Sequence, residues 1–144
     1  RVMGSIALDP ATSELAQTVV KADAYLTKFD NGLAQPWLGA TVWLNPPYSD
    51  TQRWVDKLGA EYAKGIFIKQ AIILVNNATE TTWFQALLAG YPVCLPSRRL
   101  AFWRHDHSNV GARQGQAIFY LGPNVETFVS EFAQFGTILR RIDQ

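Results

Sequence analysis

The string Asn45-Pro46-Pro47-Tyr48 holds residue types that can act together on a planar amino group. An exocyclic amine such as that of adenine is a weak nucleophile, because its lone pair is delocalised into the ring. Two oxygen acceptors held beside it engage both N–H groups and draw the nitrogen towards a tetrahedral, nucleophilic geometry. The Asn45 side-chain oxygen and the Pro46 carbonyl are the two candidates. Consecutive prolines stiffen the backbone, so the acceptors are in place before a substrate arrives. Tyr48 offers a flat face on which an extruded base can stack. The chemistry this set suits is methyl transfer to an amino nitrogen. The same string also reads as a plain turn, and by itself it specifies only a planar amine, of adenine, of glutamine or of an RNA guanine.

The elements around the string must place it at a sheet edge. Residues 40–44 read as a short strand that Asn45-Pro46-Pro47 ends abruptly, since two prolines cannot continue a ladder. Residues 4–8 read as an earlier strand stopping at Asp9-Pro10. Between them, residues 12–25 carry Leu15, Val19, Ala22 and Leu26 at helical spacing, with Thr12 or Ser13 as cap, and Asp30-Asn31-Gly32 marks a turn. Residues 50–64 read as a helix with Trp54, Leu58 and Tyr62 on one face, Asp50 as a cap and Gly65 closing it. Residues 71–75, five apolar positions in a row, fit a strand buried on both faces of a parallel sheet. A polar loop over 76–80 follows, then a helix over 81–89 and a strand over 93–95. Residues 99–103 and 116–121 read as a strand pair joined by a long polar loop. Residues 128–135 read as a last helix, and 138–142 is ambiguous. Strands alternating with helices predict an α/β three-layer sandwich, with any ligand at the carboxyl ends of the strands.

Composition bounds the rest. The 144 residues predict one domain over 1–144, and an opening at Arg1 rather than Met leaves room for residues upstream. Apolar residues make up 48% and charged residues 17%, enough for a buried core. A net charge of +1 announces no global field for nucleic acid, although a local patch is compatible with it. One cysteine, Cys94, excludes an internal disulfide framework, and with only two histidines it excludes a zinc site built mainly from Cys and His. No apolar run approaches the roughly 20 residues of a membrane span. The first residues, with Ser5, Asp9 and Glu14, lack the pattern of a signal peptide, so a cytoplasmic location is expected.

The ordered set of motifs resembles the phage-type DNA N-6-adenine methyltransferases, the phage Dam-like family, over nearly the whole chain. The resemblance runs through Gly4-Ser5-Ile6-Ala7-Leu8-Asp9-Pro10-Ala11, Asn31-Gly32-Leu33, Trp37 and Val42-Trp43-Leu44-Asn45-Pro46-Pro47-Tyr48-Ser49. It continues through Ala71-Ile72-Ile73-Leu74-Val75-Asn76-Asn77, Thr79 to Phe84 with Trp83, Arg99 with Phe102, and Gly115-Gln116. It implies a minimal class I, Rossmann-like sheet and an S-adenosylmethionine-dependent enzyme methylating N6 of adenine in DNA, in a bacterial or phage-infected cytoplasm. On this resemblance Asn45, Pro46, Pro47 and Tyr48 are the catalytic set. Asp9, Pro10, Ala11, Asn31 and Leu33 are the cofactor-binding set. An acidic group at a strand end can hold ribose hydroxyls, while Asp9 also reads as an Asx turn before Pro10, and Asn31-Gly32-Leu33 as a turn only.

Two departures stand beside the resemblance. No Phe-x-Gly-x-Gly loop follows the first strand, and no Thr-Pro element occurs near the N-terminus. They leave open two rival readings: a nucleic-acid-binding module that has lost its cofactor, and a methyltransferase for glutamine or an RNA amine. Arg98, Arg99, Arg104 and Arg113, with His105 and His107, form a basic stretch suited to DNA phosphates, and Trp83 is placed to touch the same ligand. His105 and His107 with Asp106 make a thin ligand set, and no metal is expected. Asn76-Asn77-Ala78-Thr79 either lines the site or supplies Thr79 as a helix cap. The other tryptophans read as packing and Cys94 as a buried, inert thiol. Composition leaves the oligomeric state and the DNA recognition sequence open.

Overall fold

The computed structural model describes residues 1–103, 109–111 and 115–142. In chain order the elements are β1 (Leu8–Thr12), α1 (Glu14–Val20), β2 (Ala24–Thr27), β3 (Thr41–Leu44), a 3₁₀ turn (Tyr48–Asp50) and α2 (Thr51–Lys64). There follow β4 (Gln70–Asn76), α3 (Thr82–Gly90), β5 (Val93–Pro96), β6 (Ala101–Trp103), β7 (Asn109–Gly111), β8 (Gln116–Leu121), α4 (Val125–Phe132) and β9 (Gly136–Leu139). Seven strands form one mixed sheet in the order β2-β1-β3-β4-β8-β5-β9, and β6 pairs with β7 separately. β1 is parallel to β2 and to β3, and β3 to β4, whereas β8 is antiparallel to both β4 and β5. The carboxyl ends of β1 to β5 therefore gather at one edge, together with the first residue of β8. This is the expected α/β sandwich, built on a Rossmann-like sheet.

The run of apolar residues in β4 is sorted by the period of two of a strand. Ala71, Ile73 and Val75 join Trp37, Trp54, Leu58, Phe84, Leu87 and Phe119 on the face covered by α2 and α3. Ile72 and Leu74 join Cys94, Ile118, Tyr120 and Phe128 on the face covered by α4. Helix α2 follows its expected pattern: Trp54 and Leu58 are buried one turn apart, and Gly65 ends the helix at φ 65°, a left-handed conformation that glycine adopts without a Cβ penalty.

Several local expectations are corrected. The first strand begins where residues 4–8 were expected to end, and Pro10 lies inside it. Proline is tolerated there because β1 pairs with β3 only at Leu8↔Val42 and its register with β2 shifts between Asp9 and Thr12, so no ladder bond is required of Pro10. The helix expected over 12–25 is shorter. It is capped by Ser13, whose hydroxyl accepts from the Ala16 N–H at 3.1 Å, ends at Lys21, and buries none of its residues. Its distal part is instead the strand β2, half-exposed at the sheet edge, which is why its alternation is hard to see in sequence. Asp50 holds the cap position of α2 without accepting from a helix backbone N–H, and its carboxylate pairs instead with the Arg53 side chain at 3.2 Å. Thr81, not Thr79, caps α3, accepting from the Phe84 N–H at 3.3 Å. Residues 99–103 and 116–121 do not pair with each other: β6 takes β7, while β8 inserts between β4 and β5. The last helix starts and ends three residues early, because Phe128 and Phe132 are the positions one turn apart that meet the sheet, and the ambiguous tail contributes the edge strand β9.

Phe119 is fully buried and meets Phe84 edge-on at 5.2 Å between ring centroids. Phe119→Ala is expected to lower unfolding free energy by about 3–5 kcal/mol, the range for a phenyl cavity in a packed core, as read from urea denaturation.

Candidate active site

At the carboxyl ends of β1 and β3, which are joined by the single pair Leu8↔Val42, lies a cleft of about 580 Å³. Its size is within the roughly 300–1,000 Å³ of small-molecule sites. One wall is the end of β1, with Pro10, Ala11 and Thr12. A second is the loop after β2, with Thr27, Lys28, Asn31, Gly32 and Leu33. The third is the segment after β3, from Asn45 to Asp50, with Trp54 behind it. The expected catalytic string and four of the five expected cofactor residues, Pro10, Ala11, Asn31 and Leu33, thus share one cavity.

Each wall is braced by local bonds. In the loop after β2, the Asp30 carboxylate accepts from the Thr27 N–H (2.7 Å) and the Thr27 hydroxyl (3.1 Å), and Asn31 turns the chain at φ 52°, tolerable for asparagine. The Trp37 indole N–H donates to the Gly32 carbonyl at 2.9 Å, and Trp37 stacks on Trp54 at 6.1 Å. Gly32 is pressed between walls: a Cβ there would lie 2.2 Å from the Pro10 carbonyl oxygen and 2.8 Å from the Trp54 ring. After β3, Pro46 is buried, and the Pro47 carbonyl accepts from the Asp50 N–H at 3.1 Å, which starts the 3₁₀ turn. Among the described residues, no hydrogen bond engages the Asn45 side chain or the Pro46 carbonyl, and both residues border the cleft.

Asp9 stands one residue behind the lining, at 2% exposure, rather than in it. Its Oδ2 accepts from the Gln17 amide at 2.8 Å, and its Oδ1 is buried without a hydrogen-bond partner. Burial raises its carboxyl from 3.8 to about 6, against the opposing pull of Thr12, Ala11 and Gln17. Gln17 is a bracket that sequence reasoning missed. Its amide also donates to the Thr12 hydroxyl (3.1 Å) and accepts from the Ala22 N–H (2.9 Å), so α1 is tied to β1 by polar contacts rather than by apolar burial.

On the far side of the string, Tyr48 is 41% exposed and donates its hydroxyl to Gln116 Oε1 at 2.8 Å. Burial of part of its ring pushes the phenol up, so it is protonated throughout the physiological range. Trp83, expected to touch ligand, is instead in the core: it is 9% exposed and packs edge-on against Phe84 at 5.7 Å. Trp83 is the second residue of α3, two positions after the Thr81 cap, on the side of the helix that joins the core with Phe84 and Leu87. Arg98 and Arg99 are exposed just after β5, at the same sheet edge as the string. Arg104, Arg113, His105 and His107 lie outside the described residues. Among the described residues no three His, Cys, Asp or Glu side chains come together, and no helix is long and apolar enough to cross a membrane.

Residues 3–136 match the family described as DNA N-6-adenine-methyltransferase (Dam). The chain belongs to that family. Membership brings DNA adenine methylation as the general activity and accounts for the cleft at the carboxyl edge of a Rossmann-like sheet. No match was found among curated proteins. Residues the Dam-family resemblance had not singled out, Thr12, Thr27, Lys28, Asp50 and Trp54, complete the cavity; no local motif marks them as lining residues, and only the tertiary structure brings them together there.

Two outcomes follow for this Dam-family protein. Because the folded pKa of Asp9 lies above its unfolded value, its favourable protonated form is fully available below pH 3.8 and is lost as pH rises through about 6. Asp9→Asn is therefore expected to raise the stability of the ligand-free protein by about 2–3 kcal/mol at pH 8, a gain that shrinks as the pH is lowered to 4, measured by urea denaturation across that range. Gly32→Ala is expected to push the loop after β2 off Pro10 and Trp54 and weaken ligand binding to the cleft more than tenfold, an effect calorimetric titration would register.

Proposed function

We propose that the chain transfers a methyl group from S-adenosylmethionine to N6 of adenine in DNA, with the cofactor in the cleft and the flipped base held by Asn45, Pro46, Pro47 and Tyr48. The observation that carries this reading is the shared cavity: the Asn-Pro-Pro-Tyr string and the Pro10–Thr12 and Asn31–Leu33 segments border the same 580 Å³ space.

The lining suits such a cofactor. Ala11, Leu33 and Trp54 offer apolar surface for a flat base, Thr12, Thr27 and Asn31 offer hydroxyl and amide partners, and Lys28 offers a cation for a carboxylate. Asp9, buried next to Pro10 with its Oδ1 unpartnered, backs this wall without itself lining the cleft. Pro10 to Thr12, with the Thr12 hydroxyl held by Gln17, form the wall at the end of the first strand, which no glycine-rich loop follows. When bound, the cofactor supplies an electrophilic methyl carbon.

The chain's own part is orientation and electrostatics. The Asn45 Oδ1 and the Pro46 carbonyl accept the two N–H bonds of the adenine amine and localise its lone pair on nitrogen. Pro46 and Pro47 hold these acceptors with little freedom to lose. Tyr48 presents its ring to the everted base. No side-chain base is required, because the amino proton becomes acidic once nitrogen carries the methyl group and can pass to water. Arg98 and Arg99, exposed on the same edge, are suited to the phosphates flanking the flipped nucleotide. Arg104 and Arg113 belong to the same basic stretch of sequence.

Asn45→Ala is expected to reduce methyl incorporation into DNA by at least about a thousandfold, in line with the loss of a preorganised polar contact to a reacting group, with Tm within a few degrees of the parent. Mass spectrometry of nucleosides from the treated DNA reads both the amount and the identity of the product. Full activity in Asn45→Ala, or methylation at another atom, would overturn the assignment.

A further inference from the structure

The Tyr48 hydroxyl bond to Gln116 is the first link of a short chain. Gln116 opens β8, is 4% exposed, and sends its Nε2 to Asn76 Oδ1 at 3.2 Å. Asn76 closes β4 and lies directly opposite Gln116 in the ladder. The neighbouring pair is locked as well: the Asn77 N–H donates to the Gly115 carbonyl at 3.0 Å, and a Cβ on Gly115 would meet the Asn77 amide nitrogen at 2.5 Å. The amide of Gln116 therefore sits in a rigid frame made by two central strands, with its oxygen towards Tyr48 and its nitrogen towards Asn76.

From this frame we infer that Gln116 is a positioning residue for base capture: it fixes the Tyr48 ring as a stacking platform before the adenine leaves the duplex. A tyrosine that is 41% exposed and tethered only by its backbone would have to give up χ freedom when the base arrives. The bond to a buried, doubly engaged amide removes that freedom in advance. The distance in sequence between Tyr48 and Gln116, 68 residues, shows that the restraint comes from the sheet and not from the turn that carries the motif. The inference rests on the reading of Tyr48 as the surface that receives the base, and it adds the residue that aims it.

A double-mutant cycle tests it. Methyl transfer to unmethylated genomic DNA is measured for the parent, Tyr48→Phe, Gln116→Met and the double variant, with kcat/KM for DNA and, separately, KM for S-adenosylmethionine. Each single variant is expected to lose about tenfold in kcat/KM for DNA, the size of one polar contact, with KM for S-adenosylmethionine unchanged. The double variant should be no worse than either single one, because both remove the same bond. Multiplicative losses in the double variant, or a Gln116→Met loss that follows the melting temperature and spares Tyr48→Phe, would overturn the inference. A parent that methylates no adenine would instead overturn the functional reading on which it stands.

Discussion

One junction of strands shapes the rest of the structure: β1 and β3 are joined by the single pair Leu8↔Val42, while β1 stays on β2 and β3 stays on β4. In a parallel sheet, ligands sit at the carboxyl ends of the strands, where backbone groups are no longer all engaged by a neighbouring ladder. Proline at positions 10, 46 and 47 fits this place, because none of the three has an N–H that needs a partner. The cleft is bordered by the end of β1 and by the segment that follows β3.

Around that cleft the molecule contrasts a hard interior with lightly held walls. β4 and β8 run side by side over six paired positions, with apolar residues on both faces. β2 and α1 lie at the rim, carry little buried surface and are fixed by polar contacts such as Gln17 to Asp9. The cleft lies where this rim meets the edge of the paired strands. Asn45 and Pro46 belong to the edge, and Asn31 and Leu33 to the rim.

The burial of Asp9 fits the same division. A carboxylate with one unpartnered oxygen is a cost, set against the other oxygen, which receives the Gln17 amide and ties α1 to β1. Burial raises its pKa to about 6, so its charge changes as the pH passes that value. The missing glycine-rich loop does not leave that wall open, since Pro10 to Thr12 and the clamped Gly32 close it with side chains and backbone already in contact.

The sequence by itself determined the chemistry-bearing string, the strand that presents it, the α/β alternation and the burial of residues 71–75. These are properties of local spacing: two prolines end a strand wherever they fall, and five apolar residues in a row demand cover on both sides. It also pointed to Asp9, Asn31 and Leu33, through resemblance rather than through any local rule. Only the tertiary structure decided that β8 lies between β4 and β5, that Trp83 turns into the core while Trp54 reaches the cleft, and that Gln116 stands beside Tyr48. The physical reason is range. Caps, turns and periodicity act over three or four residues, whereas strand order and the meeting of Tyr48, Gln116 and Asn76 are fixed by which apolar faces exclude water together, a condition set by the whole chain at once.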